Sequence, residues 1–415
     1  MEQTVEQPGT RPVRPSYAKD GPSLVWLAIW TAALTILTLG LYRFWMTTRL
    51  RRHYWAAIRI EGDPLEYAGT GLEKLLGFLL ALVILAVYLT LVNLGLAFLG
   101  LAQFEDPLAL QAALNLSIVA SLPLIFFATY RARRYILSRT RWRGVRFGMD
   151  QAAWGYTGRA LLYVLATVLS AGLLYPLQHF RLIKFKTDRT WFGSLAFHQH
   201  GTWRALLWAW VLVYLGVLIL ASGAYLLATT GTAEAPNPNA MGVLALGYLV
   251  TMGLMVRYQV QAFRYFWDHR SLGEAWFTSA LTTRRVLVIQ LIGYLAIAGI
   301  VLLIGAGVIA LVFGIWAVLA GASLQEAAMA VESGDRGRLA WPIFIAIGFS
   351  YLVMIAAASA LTQVFLARPL LRAYVDTMDI HDAGSLAESQ QRAHDEALEA
   401  GGFADALGVD VGAGV

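Results

Sequence analysis

The sequence has no cysteine, and only 14% of its 415 residues are charged. The missing thiols exclude disulfides, thiolate metal sites and cysteine nucleophiles. An average soluble domain carries about 25% charged residues, so the charge deficit points to a membrane protein. Ionisable groups are nearly absent from the long apolar runs. A proton relay at the membrane midplane needs Asp, Glu or His, which argues against a transporter coupled to protons there. No Ser-His-Asp set, HExxH, phosphate loop or paired-carboxylate pattern stands out. No catalytic activity, cofactor or metal is therefore expected. The opening MEQTVEQPGTRPVRPSYAKDGP lacks an apolar h-region before a small-residue cleavage site, so no cleavable signal peptide is expected.

What is present is hydrophobic: 58% of the residues, with a mean hydropathy of +0.59. A spanning helix needs roughly 20 mostly apolar residues. Eight stretches approach this, near Leu24–Trp45, Leu75–Leu101, Leu108–Tyr130, Ala160–Leu177, Trp203–Thr229, Met241–Val256, Val286–Ala320 and Leu339–Leu366. LGFLLALVILAVYLTLVNLGL is apolar all round, unlike a helix with one face in water.

Basic residues mark the cytoplasmic side. They collect in Arg43–Lys74, Arg131–Arg159, His179–Arg189 and Arg257–Arg270, whereas the loops near Phe104, Glu234 and Glu326 are poor in them. If all eight stretches cross, the basic segments after His179 and Arg257 fall outside. If the first and fourth do not cross, every basic loop is cytoplasmic. Both stretches carry Gly and Tyr near one end, Gly40 with Tyr42 and Gly172 with Tyr175. Glycine suits a helix break or C-cap. The expected fold is an all-α polytopic membrane helix bundle with six full spans and two short re-entrant or interfacial hairpins. Eight simple spans are the alternative. Val286–Ala320 is about 50 Å long as one helix, with Gly305-Ala306-Gly307 as a candidate kink. The expected domains are a disordered cytoplasmic tail over 1–22, a membrane domain over 23–375 and a flexible acidic cytoplasmic tail over 376–415. From Asp376 on there are nine acids and one base.

The chain also repeats itself. RIEGDPLEYAGTGLEKLL and RTWFGSLAFHQHGTWRALL share a glycine, an aromatic (Tyr67, Phe197) and Gly-Thr. TRWRGVRFGMDQAAWGYTGRALL and HRSLGEAWFTSAL are looser copies. Internal duplication is expected, with these segments forming short extended pieces or turns.

Thr38-Leu39-Gly40-Leu41-Tyr42-Arg43-Phe44-Trp45, then Arg49-Leu50-Arg51-Arg52-His53-Tyr54, then Gly62, Tyr67 and Gly69-Thr70, resembles the YjgN family. These are polytopic bacterial inner-membrane proteins defined by domain of unknown function 898. The resemblance runs roughly from Leu24 to Asp376. It implies a multi-pass inner-membrane location and an architecture, and carries no chemistry to particular residues. Gly172 and Tyr175 lie one residue further apart than Gly40 and Tyr42.

Basic runs with interleaved aromatics supply the candidate site residues. On a helix, Arg49, Arg52 and Arg59 share one side and Leu50, Tyr54 and Ile58 another, as in an interfacial amphipathic helix. Arg49, Arg51, Arg52, Tyr54, Trp55, Arg131, Arg133, Arg134 and Arg264 are the candidates for the lipid interface or an anion. Gly40, Tyr42, Gly172 and Tyr175 are the candidate re-entrant breaks. Lipids with anionic headgroups are the expected partners, and no nucleic-acid module is visible. His198 and His200 could share a strand face toward a metal only if His179 and Asp188 approached. Glu61, Asp63 and Glu66 suggest local ion pairing. Ala356–Ala360 suits close helix contact, in the monomer or a homo-oligomer. Two functions remain: a permease or channel-like protein for a small or lipidic solute, and a non-enzymatic membrane scaffold binding anionic lipid.

Overall fold

The computed structural model describes residues 12–18, 23–99, 107–230, 237–320 and 336–392. Eleven α-helices and ten strands alternate along the described residues. Six helical segments are long and apolar enough to cross a membrane: Gly71–Phe98, Leu108–Ser138, Trp203–Thr230, Pro238–Asp268, Thr283–Leu311 and Gly348–Asp376. They belong to α3 (Gly71–Phe98), α4 (Pro107–Ser138), α7 (Leu207–Thr230), α8 (Pro238–Asp268), α9 (Thr283–Ala320), α10 (Arg336–Thr362) and α11 (Arg368–Asp376). A π-helical turn, Gln363–Ala367, joins α10 to α11. Helix α9 is one helix of 38 residues, unbroken at Gly305–Gly307.

The first and fourth apolar stretches each form a pair of short helices. These are α1 (Ser23–Leu37) with α2 (Arg43–Ala57), and α5 (Ala153–Leu169) with α6 (Tyr175–Thr187). At about 1.5 Å per residue, α1 and α5 reach only about 22–26 Å.

The all-α expectation is corrected by a sheet. Its ten strands run antiparallel in chain order: β1 (Ser16–Tyr17), β2 (Ile58–Ile60), β3 (Asp63–Tyr67), β4 (Thr140–Trp142), β5 (Val145–Met149), β6 (Thr190–Phe192), β7 (Leu195–Gln199), β8 (Arg270–Leu272), β9 (Ala275–Ser279) and β10 (Met378–His381). Two-residue turns join β2 to β3, β4 to β5, β6 to β7 and β8 to β9. Each begins at a positive φ, on Glu61, Arg143, Gly193 or Gly273, as tight hairpins with the natural strand twist require. Strands of three and five residues are too short to print a period-2 pattern, so in the sequence they read only as short extended pieces or turns.

The sheet closes on itself. Val13 and Ile380 exchange both backbone hydrogen bonds, at 2.8 and 2.9 Å. The chain from Val13 to Tyr17 thus bridges β10 on one side and pairs with β2 on the other. It completes with β10 a fifth hairpin, open at its turn. Two expectations change accordingly. The tail begun at 376 starts with β10 and a 3₁₀ turn, Ala383–Glu388. The segment 1–22 includes β1. Residues 1–11, 19–22 and 393–415 lie outside the described residues.

Alternation places Trp142, Phe192, Phe197, Leu272, Phe277 and Ile380 in one buried cluster. Ala383 and Leu386 of the 3₁₀ turn join it. Ser389 Oγ donates to the Phe192 carbonyl at 2.9 Å, fastening the segment after that turn.

The fold divides into two compact units. One takes the described residues of Met1–Ala18, Trp55–Val286 and Ala373–Val415; the other takes those of Lys19–Tyr54 and Leu287–Arg372. The second unit packs Ala356 and Ala360 of the alanine-rich face against Ala28 and Ala32 of α1. In the first, α7 and α8 pack at backbone distance. A Cβ at Gly223 would sit 2.5 Å from the Leu244 nitrogen, and one at Gly247 would sit 2.6 Å from the Leu220 Cα. Small residues give apolar helices in lipid their contact area.

Gly247→Val should lower stability by about 1–3 kcal/mol through overpacking. Gly242→Ala, on the same helix with nothing within 4 Å, should be neutral. Thermal melts in one detergent compare them.

Candidate functional site

The two helix breaks have the same geometry. Gly40 N–H donates to the Thr35 carbonyl and Gly172 N–H to that of Thr167, both at 2.7 Å. Both glycines lie near φ +90°, each after a non-glycine residue at φ 50°, Leu39 or Ala171. The Thr38 hydroxyl accepts from Tyr42 N–H at 2.9 Å, and the Ser170 hydroxyl from Leu174 N–H at 3.0 Å. This register pairs Gly172 with Gly40, but Tyr175 with Arg43 rather than Tyr42. The one-residue spacing difference is thereby explained. The apolar tips are bare, with Leu39 at 85% and Leu169 at 78% exposure. The second break is anchored: Trp210 Nε1–H donates to the Gly172 carbonyl at 2.9 Å, and Tyr175 stacks on Trp210 at 4.4 Å.

The structure sorts the candidate residues. Helix α2 ends at Ala57, so Arg59 stands on β2 and not on the helix. Arg49 and Arg52 are exposed and Arg51 half-buried; Arg49 lies over the Tyr42 ring at 5.6 Å. Tyr54 is buried, its hydroxyl donating to the Gln363 carbonyl at 3.0 Å in the π turn. Trp55 donates to Thr140 Oγ1 at 3.0 Å. Tyr54 and Trp55 are thus both tied into the framework, Tyr54 buried and Trp55 half-buried. Arg264 is exposed on α8. Arg134 is buried and donates to the Met149 carbonyl at 2.9 Å. Arg143 pairs with both Glu61 and Asp63, so that acidic cluster is matched across the sheet.

Arg131 and Arg134 line a surface cleft of about 340 Å³ between α4 and α5, with Phe127, Tyr130, Gln151 and Trp154. Trp154 is 71% exposed, and its ring lies 4.7 Å from Phe127. A second cleft of about 310 Å³, between α7 and α8, holds Trp208, Arg257, Gln261 and Tyr265. Each combines cation, indole, phenol and amide at the end of an apolar helix.

A third arrangement was missed from the sequence. Arg270 opens β8 and is buried on its inner face with Leu272. It donates from Nε to Gln199 Oε1 and from Nη2 to Thr187 Oγ1, both at 3.3 Å, and its guanidinium lies 4.3 Å over the Trp267 ring. Gln199 is fully buried, and its amide donates to the Phe266 and His269 carbonyls at 3.0 Å. Lys186 lies near it on α6. Burial, then the charges of Arg133 and Arg270, lower the Lys186 ammonium to about 7. His179, on the same helix, is held at about 4 by burial and then by Lys186. Its Nδ1 meets the Tyr258 hydroxyl at 2.9 Å. Nothing in the three residues R-S-L marks Arg270 as inward-facing until β8 is paired with β7.

His198 and His200 are exposed, and His200 Nε2 reaches Ser271 Oγ at 3.2 Å. Asp188 instead accepts the Gln199 N–H at 2.8 Å and pairs with Lys184. Among the described residues no three His, Asp or Glu side chains converge as metal ligands.

Between pH of about 7 and 10.5, the unfolded chain protonates Lys186 more than the folded one does. Stability therefore rises with pH through that window. Lys186→Met should flatten this rise in melts taken from pH 6 to 10, read as a difference from the wild type.

Comparison with known proteins adds a family. "Inner membrane protein YjgN" of Salmonella typhimurium is 26% identical over 153 residues, which is 36% of this chain and 34% of that protein. The chain thus matches about a third of this relative. No solved structure matches. The family model described as "Bacterial protein of unknown function (DUF898)" matches residues 16–299. With well over half of its sequence matched and six apolar spans in its fold, the chain is a multi-pass membrane protein that belongs to the DUF898 family.

Proposed function

We propose that the protein resides in the bacterial inner membrane, with the sheet and both termini on the cytoplasmic side, and binds anionic phospholipid headgroups. The cleft between α4 and α5 carries this proposal. Two arginines and an exposed tryptophan meet there at the end of a span. Arginine pairs with phosphate through a planar fork, and tryptophan settles at headgroup level. Exposed apolar residues further up α4, such as Ile118 and Val119, offer a surface for the acyl chains. The second cleft repeats the chemistry. The name of the Salmonella relative and the positive-inside distribution support location and orientation.

A permease for a small or lipidic solute is the second function, favoured by the matched breaks at Gly40 and Gly172. Short helices with bare apolar tips are those of re-entrant or interfacial hairpins, and broken helices line substrate paths in transporters. Internal duplication accounts for two breaks with one hydrogen-bond pattern and for the recurring hairpins.

Arg131→Gln should weaken phosphatidylglycerol retention several-fold in native mass spectrometry, with the melting temperature in neutral lipid unchanged. Equal retention would remove the cleft as a lipid site. Single cysteines at Gln103, Thr232 and Ser323 should label from outside, and those at His198 and Glu274 only after lysis. The reverse pattern overturns the orientation.

A further inference from the structure

We propose that Arg133, Lys186 and Arg270 form an internal site for a phosphoryl oxyanion where α4, α6 and α8 run into the sheet. The three cations come from separate elements, α4, α6 and β8. None has an ion pair among the described residues. Arg133 Nε is buried without a hydrogen-bond partner among the described residues. Arg270 is buried and Arg133 and Lys186 are half-buried; like charges that act on one another and lose part of their hydration are complementary to an anion.

The frame is preorganised. Gln199 is fixed by two backbone carbonyls, so its Oε1 holds the Arg270 Nε. Thr187 takes one terminal nitrogen, Nη2, and the other, Nη1, makes no hydrogen bond among the described residues. Lys186 Nζ lies 5.9 Å over the Tyr156 ring. Two guanidinium groups and an ammonium suit a tetrahedral phosphoryl group carrying up to two negative charges. Tyr130, which lines the surface cleft, packs on Tyr156 at 5.4 Å. The phosphoryl group can thus be free inorganic phosphate or belong to a lipid entering from the interface. The site does not depend on the lipid cleft, since it uses none of that cleft's arginines.

The test uses the full chain in nanodiscs of neutral phosphatidylcholine. Inorganic phosphate is titrated at constant ionic strength while the melting temperature is followed. A parallel series replaces part of the neutral lipid with phosphatidylglycerol. Stabilisation by phosphate in neutral discs identifies a free oxyanion; stabilisation by phosphatidylglycerol alone identifies a lipid phosphate. In either case Lys186→Met and Arg133→Gln should lower the apparent affinity at least tenfold, while Arg264→Gln and Arg131→Gln keep the response to phosphate. Without ligand, K186M should melt no lower than the wild type, because it removes a repelling charge. This readout keeps the test informative where the arginine variant folds poorly. A wild type indifferent to both ligands, or a K186M protein that responds as the wild type does, overturns the site. Loss of lipid retention in R131Q with an intact phosphate response separates the two sites.

Discussion

Two hydrogen bonds between Val13 and Ile380 turn a long meander into a closed ring of strands. Open edges are a liability, because unpaired N–H and C=O groups recruit other strands. Every strand of this sheet is short, so no single hairpin would stand in water alone. Closure makes each the neighbour of two others and gathers one apolar interior from all of them. It also fixes where the helix ends that lead into it stand, since each hairpin follows a helix directly. Asp188 and Asp268 secure two of these junctions. Each accepts the N–H of the last residue in its own hairpin, Gln199 or Ser279, at 2.8 Å.

That arrangement explains where the basic residues go. The helices that lead into the hairpins carry arginine and lysine in the turns before their ends, as at Arg52, Arg134, Lys186 and Arg264. Some reach outward, as Arg49, Arg52 and Arg264 do. Others turn inward, as Arg134 and Arg270 do. The inward set is framed by buried amide, hydroxyl and indole groups. Positive charge near an inner leaflet is common; burying it, as at Arg270, costs hydration.

The six spans were legible from length and apolarity alone, and so were the two short stretches with their glycines. A run of more than twenty apolar residues leaves few alternatives. The sheet was not legible. Its three-residue strands, such as Thr140–Trp142 and Thr190–Phe192, bear too few residues for a pattern, and their partners lie far along the chain. The same non-local pairing hid the inward arginine. Arg270 looks like any juxtamembrane base until β7 is laid beside β8 and Gln199 meets it. Tyr54 and Trp55 looked like headgroup anchors, because aromatics beside arginines do so in most membrane proteins. Only the packing assigns them to Gln363 and Thr140.

The opened fifth hairpin has a consequence for synthesis. Arg14 and Asp379, paired at 2.7 Å beside the closing bonds, are 365 positions apart. At about 5–20 residues per second of translation, the first strand waits about 20–70 s for its partner. During that interval the helical hairpins enter the bilayer one after another. The ring cannot be completed first and the helices threaded later. Assembly is therefore ordered by topology, with insertion as the early event and the meeting of the two chain ends as the late one.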